Sequence, residues 1–301
     1  MARRDVQGGL PAVRKPTDEE IDVFGLTHPG KVRPENQDHF MVASLHRQMR
    51  VHLTSLPALA GATRDTNRLA FLAMVADGVG GGDAGEEASR FALEAITGFV
   101  SNSAHCFYTA DASNDDEFRA TLESAALRVH EELNRRSAQL PGRRGMATTL
   151  TLFLGVWPRI YLLQVGDSRY YFLRDGQLTQ VSRDQTMAQE LIDMGVLTRG
   201  DTKASRLSNI LSSAIGGTQS APVVTGVEND WDTTHLLCSD GLTKHVSDER
   251  IRERLLAMTS AREVCEQLVQ DALDGGGRDN ITVVVMRAVR RDGGGGGDEG
   301  R

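Results

Sequence analysis

The sequence predicts an α+β protein, or a layered α/β sandwich, that is rich in strands. Eight short segments carry the β-branched and aromatic residues typical of strands. Amphipathic helical segments with capping signals lie between groups of these strands. The helical segments come in pairs and do not follow every strand, so a strictly alternating parallel fold is not indicated.

The predicted strands run from residue 21 almost to the C-terminus. Trp157-Pro158 and Asp175-Gly176 fall between apolar runs, and such residue pairs favour hairpins between antiparallel neighbours. The strand segments are 21–26, 39–45, 68–77, 148–157, 159–166, 170–173, 235–238 and 280–288.

Three helices have marked starts, each with a capping residue three positions before an acid. This arrangement satisfies backbone N–H groups that otherwise have no partner at a helix start. The second helix continues with an apolar stripe from Phe118 to Leu133, so it is expected to pack on a sheet. The third stops at the glycines 275–277. The capping pairs are Asp83 with Glu86, Asn114 with Glu117, and Ser260 with Glu263.

The composition predicts one folded domain, at 20–290, between unstructured ends. Residues 1–19 are polar with proline and glycine, and 291–301 are rich in glycine, so neither end can bury enough apolar surface to offset its ordering entropy. Inside the domain, 46–67 shows no periodicity and is interpreted as an insertion loop. Residues 183–213 combine a short helical segment with polar loop and are interpreted as a flap.

Charge and cysteine usage restrict the class of protein. A net charge of −7 argues against a nucleic-acid partner, which would require concentrated basic residues. Cys106, Cys238 and Cys265 are widely spaced, so reduced thiols are expected rather than disulfides or a zinc knuckle. No signal peptide is visible, and the longest apolar run, 69–76, is far shorter than the roughly 20 residues of a membrane span. We therefore expect a cytoplasmic protein without membrane association.

Two apolar strands end in an Asp-Gly pair, at Asp77-Gly78 and at Asp240-Gly241. A carboxylate at a strand end is held at a fixed position, and the glycine is expected to let the backbone turn and offer its carbonyl oxygen. Mg²⁺ and Mn²⁺ bind carboxylate, carbonyl and water oxygens, so these pairs are candidate metal ligands. Asp-Gly is also an ordinary turn, and the pairs at 175, 274 and 292 lack a preceding strand of the buried type.

Three further aspartates stand at predicted strand ends. Asp38 precedes the second strand, Asp167 follows the fifth, and Asp279 precedes the last. Each alone is equally typical of a turn or a cap. Together with Asp77 and Asp240 they would supply enough negative charge for two divalent ions, which can lower the pKa of a shared water molecule.

Other site classes lack support in the sequence. Residues 80–85 match the glycine pattern of a dinucleotide-binding loop, but no acid follows at 98–108, where that fold needs one. The eight histidines show no zinc-ligand spacing. No Gly-x-Ser-x-Gly segment indicates a serine hydrolase.

Six segments, in this order, resemble the motifs of the metal-dependent protein phosphatases of type 2C, the PPM family. The resemblance runs from about Phe24 to Met286. The segments are Arg33 to Asp38, Val75 to Gly81, Met146 to Leu150, Val165 to Arg169 with Leu173 to Gly176, Cys238 to Leu242, and Gly277 to Thr282.

The resemblance implies a fold and a set of roles. The fold would be a central β-sandwich of two antiparallel sheets, flanked on both sides by pairs of helices, with metals in a cleft at one end. Asp77 would bridge two Mn²⁺ or Mg²⁺ ions, the Gly78 carbonyl would bind one of them, and Asp240 and Asp279 would complete the first ion. Asp38 would be a ligand or an acid behind the ligands, and Asp167 resembles the acid linked to a third, weaker metal in bacterial members. Arg33 would bind the substrate phosphate, since its planar guanidinium suits that anion.

The activity implied is hydrolysis of phosphoserine and phosphothreonine in phosphoproteins, by in-line attack of a hydroxide that bridges the metals. The partners would be a phosphoprotein and a Ser/Thr kinase of opposite activity, in signalling, and the chain would be a monomer. Val79 stands where many eukaryotic relatives place a histidine, and Gln37 where they place a glutamate, so the site resembles the bacterial type. A catalytically silent phosphatase-like domain is the alternative, although such domains usually lose a metal aspartate.

Overall fold

The computed structural model describes residues 14–46, 49–55, 68–81, 83–102, 115–139, 145–198 and 200–290. Twelve strands and seven α-helices lie within these ranges. The strands are β1 (Ile21–His28), β2 (Asp38–Leu45), β3 (Met49–Thr54), β4 (Ala70–Val79), β5 (Ala147–Thr148), β6 (Leu150–Val156), β7 (Arg159–Val165), β8 (Arg169–Arg174), β9 (Gln177–Gln180), β10 (Val223–Glu228), β11 (Thr234–Cys238) and β12 (Ile281–Ala288). The helices are α1 (Asp83–Asn102), α2 (Asp115–Gln139), α3 (Met187–Asp193), α4 (Thr202–Leu207), α5 (Asp240–Thr243), α6 (Asp248–Leu256) and α7 (Ala261–Asp274).

The strands form two sheets. One has five strands in the order β1-β12-β11-β8-β9, and the other has the order β10-β7-β6-β4-β2-β3, with β5 paired to the end of β4. Every described strand pair is antiparallel. The predicted hairpins at 157–158 and 175–176 are confirmed, because β6 pairs with β7 and β8 with β9.

Helix pairs cover both sheets. Helices α1 and α2 pack on each other and on the larger sheet, and α6 and α7 pack on each other and on the smaller sheet. The predicted cap Ser260 is confirmed, since its hydroxyl accepts from the backbone N–H of Glu263. Asp83 is instead the first residue of α1, and Asn114 lies outside the described residues. The predicted architecture, two antiparallel sheets between helix pairs, is confirmed.

Strand β4 shows why the central strands are almost wholly apolar. Successive side chains of a strand point to opposite faces. Leu72 and Met74 therefore lie in the core beneath α1 and α2, whereas Phe71 and Val75 lie in the core between the two sheets. A third core separates the smaller sheet from α6 and α7, and includes Leu268 and Val285. Both faces of β4 are buried, so its sequence has no polar alternation.

The predicted strand 148–157 is divided between β5 and β6, and three further strands were not predicted. Strand β3 lies within the predicted insertion loop 46–67 and pairs with β2, so the loop prediction is wrong for 49–54. It is an edge strand, and its register with β2 shifts between Val42 and Ala43. Such an irregularity disturbs the two-residue alternation by which a strand is predicted from sequence. Strands β9 and β10 are edge strands as well, and only one residue of the two strands together is buried. Residues 56–67 lie outside the described part of the chain.

Residues 14–19 also differ from the prediction of an unstructured N-terminal tail. The Arg14 guanidinium donates to both carboxylate oxygens of Glu20, at 2.6 and 2.5 Å, and lies 4.7 Å from the centre of the Trp231 ring. The Lys15 ammonium donates to the carbonyl of Arg68 at 2.5 Å. These specific partners compensate the ordering entropy of the segment. The rest of the predicted tails, 1–13 and 291–301, lies outside the described residues.

The remaining sequence predictions concern the flap, the cysteines and membrane association. The segment 183–213 contains α3 and α4, and Thr186 bridges to Leu211, which closes it as a loop on the domain. Cys238 and Cys265 are buried free thiols, while Cys106 lies outside the described residues. Among the helices that the structure describes, none combines the length and the hydropathy required to cross a membrane.

Candidate metal centre

An open cleft of about 970 Å³ lies at one end of the sandwich. Six of the seven predicted site residues line it: Arg33, Asp77, Gly78, Asp167, Asp240 and Asp279. The opposite wall comes from the flap and the segment after it, including Ile210, Leu211 and Gly217. The seventh residue, Asp38, is only 2% exposed.

Asp38 and Asp77 lie directly opposite each other in the larger sheet. They occupy paired positions of β2 and β4. Phe40, two residues beyond Asp38, and Val75, two residues before Asp77, both lie in the core between the sheets. By the two-residue period of a strand, both carboxylates therefore point to the space between the sheets. Like charges at opposing strand positions are unfavourable, which favours a cation at this point.

Asp77 is held from its backbone. Its N–H donates to the Thr149 hydroxyl at 2.9 Å, and its carbonyl accepts from the Thr148 hydroxyl at 2.8 Å and from the Thr149 N–H at 2.9 Å. These contacts account for the two threonines of the segment Met146 to Leu150. They leave the Asp77 carboxylate as the one part of this residue free to bind a ligand.

Gly78 does not form the turn that the sequence suggested, because β4 continues through it to Val79. A Cβ atom at this position would lie 2.1 Å from the carbonyl oxygen of Gly85 and 2.8 Å from that of Gln37. Gly241 is likewise part of α5, and a Cβ there would lie 1.8 Å from the carbonyl oxygen of Asn280. Both Asp-Gly pairs therefore mark close backbone approach, which only glycine permits.

Asp240 and Asp279 come from the smaller sheet. Asp240 is the first residue of α5, separated from the end of β11 by Ser239, and Asp279 lies in the loop before β12. The two strands are joined at this end by Ser239, whose N–H donates to the Thr282 carbonyl at 3.0 Å and whose hydroxyl accepts from the Thr282 N–H at 2.9 Å. This pairing places the two carboxylates beside each other in the cleft.

Asp38 links the two sheets. Its Oδ2 accepts from the Thr282 hydroxyl at 2.7 Å, whereas its Oδ1 has no hydrogen-bond partner among the described residues. Asp167 lies in the tight link between β7 and β8 and is 8% exposed. That link is fixed by the start of the flap, since the Gly166 N–H donates to Gln185 Oε1 at 2.8 Å.

Arg33 stands at the exposed rim of the cleft. Its Nε and Nη2 donate to the two oxygens of Asp279 at 2.8 and 3.2 Å, and 55% of its side chain is exposed. The loop that carries it is fixed by Asn280, whose Nδ2 donates to the carbonyls of Pro29 and Glu35 at 3.0 and 2.8 Å. A guanidinium in this position can reach an anion in the cleft.

Lys244 is a site residue that the sequence reasoning missed. It follows Asp240 by one helical turn, and its Nζ forms ion pairs with Asp240 Oδ2 and, at 3.2 Å, with Asp279 Oδ2. The spacing of four residues was the available signal, because positions i and i+4 share one helix face. Asn280, which organises the Arg33 loop, had no comparable signal.

Burial and mutual repulsion perturb the acids of the cleft. Burial raises the pKa of Asp38 to about 7 and that of Asp167 to about 8, and the charge of Asp240 adds to both shifts. Burial also raises the pKa of Asp77 well above its ordinary value, with the Asp38 charge as the next cause. The pKa of Asp240 is raised by burial, against the Lys244 charge. Burial alone would raise the pKa of Asp279, but hydrogen bonding from Arg33 and the Lys244 charge outweigh it and lower the pKa.

The donor set fits divalent cations that prefer oxygen. Among the described residues, no three His, Cys, Asp or Glu side chains already converge as a complete metal-binding group. Asp38 and Asp240 nevertheless each keep a buried Oδ1 without a hydrogen-bond partner. A buried carboxylate oxygen without a partner is costly, and a hard cation such as Mg²⁺ or Mn²⁺ would satisfy it.

This fold and cleft define a class of two-sheet α+β proteins with a carboxylate centre suited to divalent cations. The chain belongs to the protein phosphatase 2C family, since residues 58–275 match the family described as "Protein phosphatase 2C".

Curated relatives agree with this assignment. The serine/threonine protein phosphatase PstP of Mycobacterium tuberculosis (strain ATCC 25618 / H37Rv) is 36% identical over 221 residues. This alignment covers 73% of the chain and 41% of PstP, so the chain spans about two fifths of that relative's length. The serine/threonine phosphatase stp of Listeria monocytogenes serotype 4b (strain F2365) is 31% identical over 227 residues, which cover 75% of the chain and 86% of the relative.

Solved structures share the fold. The M. tuberculosis serine/threonine phosphatase PstP/Ppp superimposes with a TM-score of 0.70 at 30% identity, covering 90% of this chain and 99% of that one. A structure of the PstP catalytic domain in complex with two manganese ions gives a TM-score of 0.67 at 31% identity, with 90% and 99% covered.

Proposed function

We propose that the chain hydrolyses phosphoserine and phosphothreonine esters of phosphoproteins with the help of two divalent cations, Mn²⁺ or Mg²⁺. One observation carries the proposal: carboxylates from the ends of both sheets line one open cleft, with the Arg33 guanidinium at its rim. The names of the relatives, serine/threonine phosphatases, and the two manganese ions of the PstP structure support it.

Asp77, Asp240 and Asp279 would hold the ions, together with the Gly78 carbonyl. When bound, the ions would neutralise charge on the phosphoryl group and lower the pKa of a water molecule for in-line attack. Asp38, opposite Asp77 in the sheet, would add a ligand or a second carboxylate behind the ligands, and Asp167 would add negative charge near Asp240.

Arg33 would bind the substrate phosphate. More than half of its side chain is exposed, and its paired N–H groups already bind a planar anion, the Asp279 carboxylate. The two oxygens of a phosphoryl group present the same spacing to a guanidinium. Val79 lies beside Gly78 with 43% of its surface exposed and has no proton to give, so water or another group would protonate the leaving alkoxide.

The substrate also implies a partner reaction. Hydrolysis of a phosphoserine or phosphothreonine ester requires that a protein kinase has first formed it, so we propose a Ser/Thr kinase of opposite activity as the source of the substrate.

Substituting Asp77 by Asn tests this function directly. The substitution removes one negative charge with little change of shape, so Mn²⁺-dependent phosphate release from a phosphothreonine peptide should fall about a hundredfold or more. The backbone contacts of Asp77 remain, so the thermal midpoint without metal should not fall.

Asp232→Asn is the matched control, because Asp232 is exposed and outside the cleft. Wild-type turnover in the Asp77→Asn protein would contradict the proposed function. A wild-type protein that binds phosphopeptides but releases no phosphate with Mn²⁺ or Mg²⁺ would instead support the silent binding domain.

A further inference from the structure

Lys244 lies inside the acidic cleft rather than on its rim. It caps the C-terminal end of α5, so its side chain returns along the helix face that carries Asp240. Its Nζ is paired with Asp240 Oδ2 and lies 3.2 Å from Asp279 Oδ2. About two thirds of the side chain is covered, since 35% of it is exposed.

The oxygens bound by Lys244 belong to two of the aspartates assigned to the metals. Asp279 Oδ1 accepts from Arg33 Nε, and Asp279 Oδ2 accepts from both Arg33 Nη2 and Lys244. On Asp240, Oδ2 is paired with Lys244 and Oδ1 is without a partner. A divalent ion that bridges these two aspartates therefore has to displace a donor from Asp279, and if it binds through Oδ2 of either aspartate it displaces the lysine.

We propose that Lys244 is a tethered competitor of the divalent cation: its ammonium neutralises the Asp240–Asp279 pair without metal and has to leave when the ion binds. This inference rests on the proposed function, which assigns the ion to that pair. An ammonium group bonds to carboxylate oxygens as a divalent cation does, but it carries half the charge and is covalently attached. The four-carbon stem allows it to swing into the open cleft as the ion enters.

The proposed competition has two consequences. Without metal, the ammonium reduces repulsion among Asp77, Asp167, Asp240 and Asp279 and stabilises the fold. With metal, breaking the ion pairs is a cost that lowers affinity, so the site responds to the metal concentration instead of remaining saturated.

Titration with MnCl₂ by isothermal calorimetry, on the full chain, tests the affinity. Lys244→Met keeps the length of the side chain and removes its charge. Mn²⁺ should bind this variant about tenfold more tightly than the wild type, the order expected when partly buried ion pairs no longer have to be broken. Lys203→Met is the control, because Lys203 is an exposed lysine on α4 and its loss changes the net charge equally; its affinity should equal that of the wild type.

Thermal unfolding supplies a second measurement. The variant that binds Mn²⁺ more tightly should be less stable than the wild type without metal. In EDTA, Lys244→Met should melt below the wild type, because Asp240 loses the ammonium group it is paired with and Asp279 keeps only Arg33 as a counter-charge. On addition of Mn²⁺, its gain in melting temperature should exceed that of the wild type. Lys244→Arg, which keeps the charge, should resemble the wild type in both measurements.

The outcomes separate this inference from the proposed function. Unchanged or weaker Mn²⁺ affinity in Lys244→Met, with normal binding by the wild type, would overturn the competitor role and leave the phosphatase function intact. A wild type that binds no divalent cation would overturn both. If Lys244→Met does not fold in EDTA, the calorimetric comparison is made with Lys244→Gln under the same criteria.

Discussion

Gly78 is constrained by its neighbours and not by its backbone angles. A methyl group on its Cα would fall 2.1 Å from the carbonyl oxygen of Gly85, on the first turn of α1. Neither partner can move freely, because Gly78 belongs to the ladder of β4 and β5 and Gly85 to a helix. At this point α1 and the cleft end of β4 are therefore in direct main-chain contact.

Gly78→Ala should destabilise the protein by roughly 2 to 4 kcal/mol, since overpacking forces the backbone to shift. Gly81→Ala is the matched control, because a Cβ at position 81 meets nothing within 4 Å and should change stability by less than about 0.5 kcal/mol. Urea denaturation of the metal-free proteins measures both values. Equal urea midpoints for Gly78→Ala and Gly81→Ala would contradict a close main-chain contact between Gly78 and Gly85.

Arg33 tests the substrate side of the site. Arg33→Lys keeps the charge and loses the paired donor geometry, so kcat/KM for a phosphothreonine peptide should fall about ten- to a hundredfold, largely through KM. The assay needs saturating Mn²⁺, because Arg33 also binds Asp279, an assigned metal ligand. Arg262→Lys is the control, as Arg262 is 71% exposed on α7. Unchanged KM and kcat in Arg33→Lys would show that Arg33 does not bind the substrate phosphate.

Individual residues differ in how well the sequence predicts them. Asp77 and Asp240 could be chosen because an apolar run typical of a buried strand precedes each of them, a pattern visible without coordinates. The turn predicted at Gly78 was wrong, because β4 continues through it and its close approach to Gly85 is a tertiary contact; its carbonyl as a metal ligand stays a prediction. Lys244 was overlooked because its partner Asp279 is 35 residues away along the chain.

At the scale of elements, α6 and α7 are joined by one carboxylate with two guanidinium partners. Asp271 on α7 accepts from Arg254 at 2.7 Å on each oxygen and from Arg250 at 2.9 and 3.3 Å. The hydrogen bonds from Arg254, followed by those from Arg250, lower the pKa of Asp271 to about 2, against the effect of burial. The Asp271 side chain is 16% exposed, so solvent screens these pairs only in part.

Asp271→Asn should lower the free energy of unfolding at pH 7 by about 1 to 2 kcal/mol, after allowance for solvent screening of the exposed arginines. The folded pKa lies below the unfolded value, so the contribution is present above about pH 4 and is lost as the pH falls towards 2. Urea denaturation of wild type and variant at pH 7 and pH 3.5 should show a smaller difference at the lower pH. Asp274→Asn, on an exposed position of the same helix, should show no such dependence. If the difference in free energy of unfolding between the wild type and Asp271→Asn grew as the pH fell, the stabilisation of Asp271 by Arg250 and Arg254 would be refuted.

Element prediction succeeded where a segment was buried on both faces or on one continuous stripe. The β4 segment and the stripe of α2 belong to this group, because their apolar patterns are set by the sheet and the helix themselves. Strands β9 and β10 were missed because edge strands bury few side chains and are stabilised mainly by backbone hydrogen bonds to a neighbour. Such bonds leave little trace in composition.

At the scale of the whole molecule, the site exists only because two sheets end at the same place. Asp38 and Asp77 belong to the larger sheet, whereas Asp240 and Asp279 adjoin strands of the smaller one. The two-residue period of side chains along a strand predicts which face of its own sheet an acid occupies. It does not predict that this face packs against the other sheet. That part came from the resemblance to a family, since no local pattern encodes the pairing of one sheet with the other.

The buried carboxylates between the two sheets repel one another when no metal is bound. They should therefore lower the free energy of unfolding of the metal-free protein. Asp38 shows this most clearly, as it is 2% exposed, opposite Asp77 in the register and hydrogen-bonded across the sandwich to Thr282. Burial raises the pKa of Asp38 to about 7, above its unfolded value, so its ionised form is unfavourable in the fold and stability falls as the pH rises between about 4 and 7. A neutral side chain of the same shape at position 38 should remove this destabilisation.

Asp38→Asn should therefore raise the free energy of unfolding in EDTA at pH 8 by about 1 to 3 kcal/mol, because one buried charge is removed while an oxygen remains for the Thr282 hydroxyl. The same change should reduce the stabilisation that Mn²⁺ gives, since the cluster then offers the ion one negative charge fewer. Urea denaturation with EDTA and with Mn²⁺, for wild type, Asp38→Asn and the exposed control Asp232→Asn, measures both effects. A variant that is less stable than the wild type in EDTA would show that the Asp38 carboxylate stabilises the fold by itself, and that the acids between the sheets are not held there at a cost to stability.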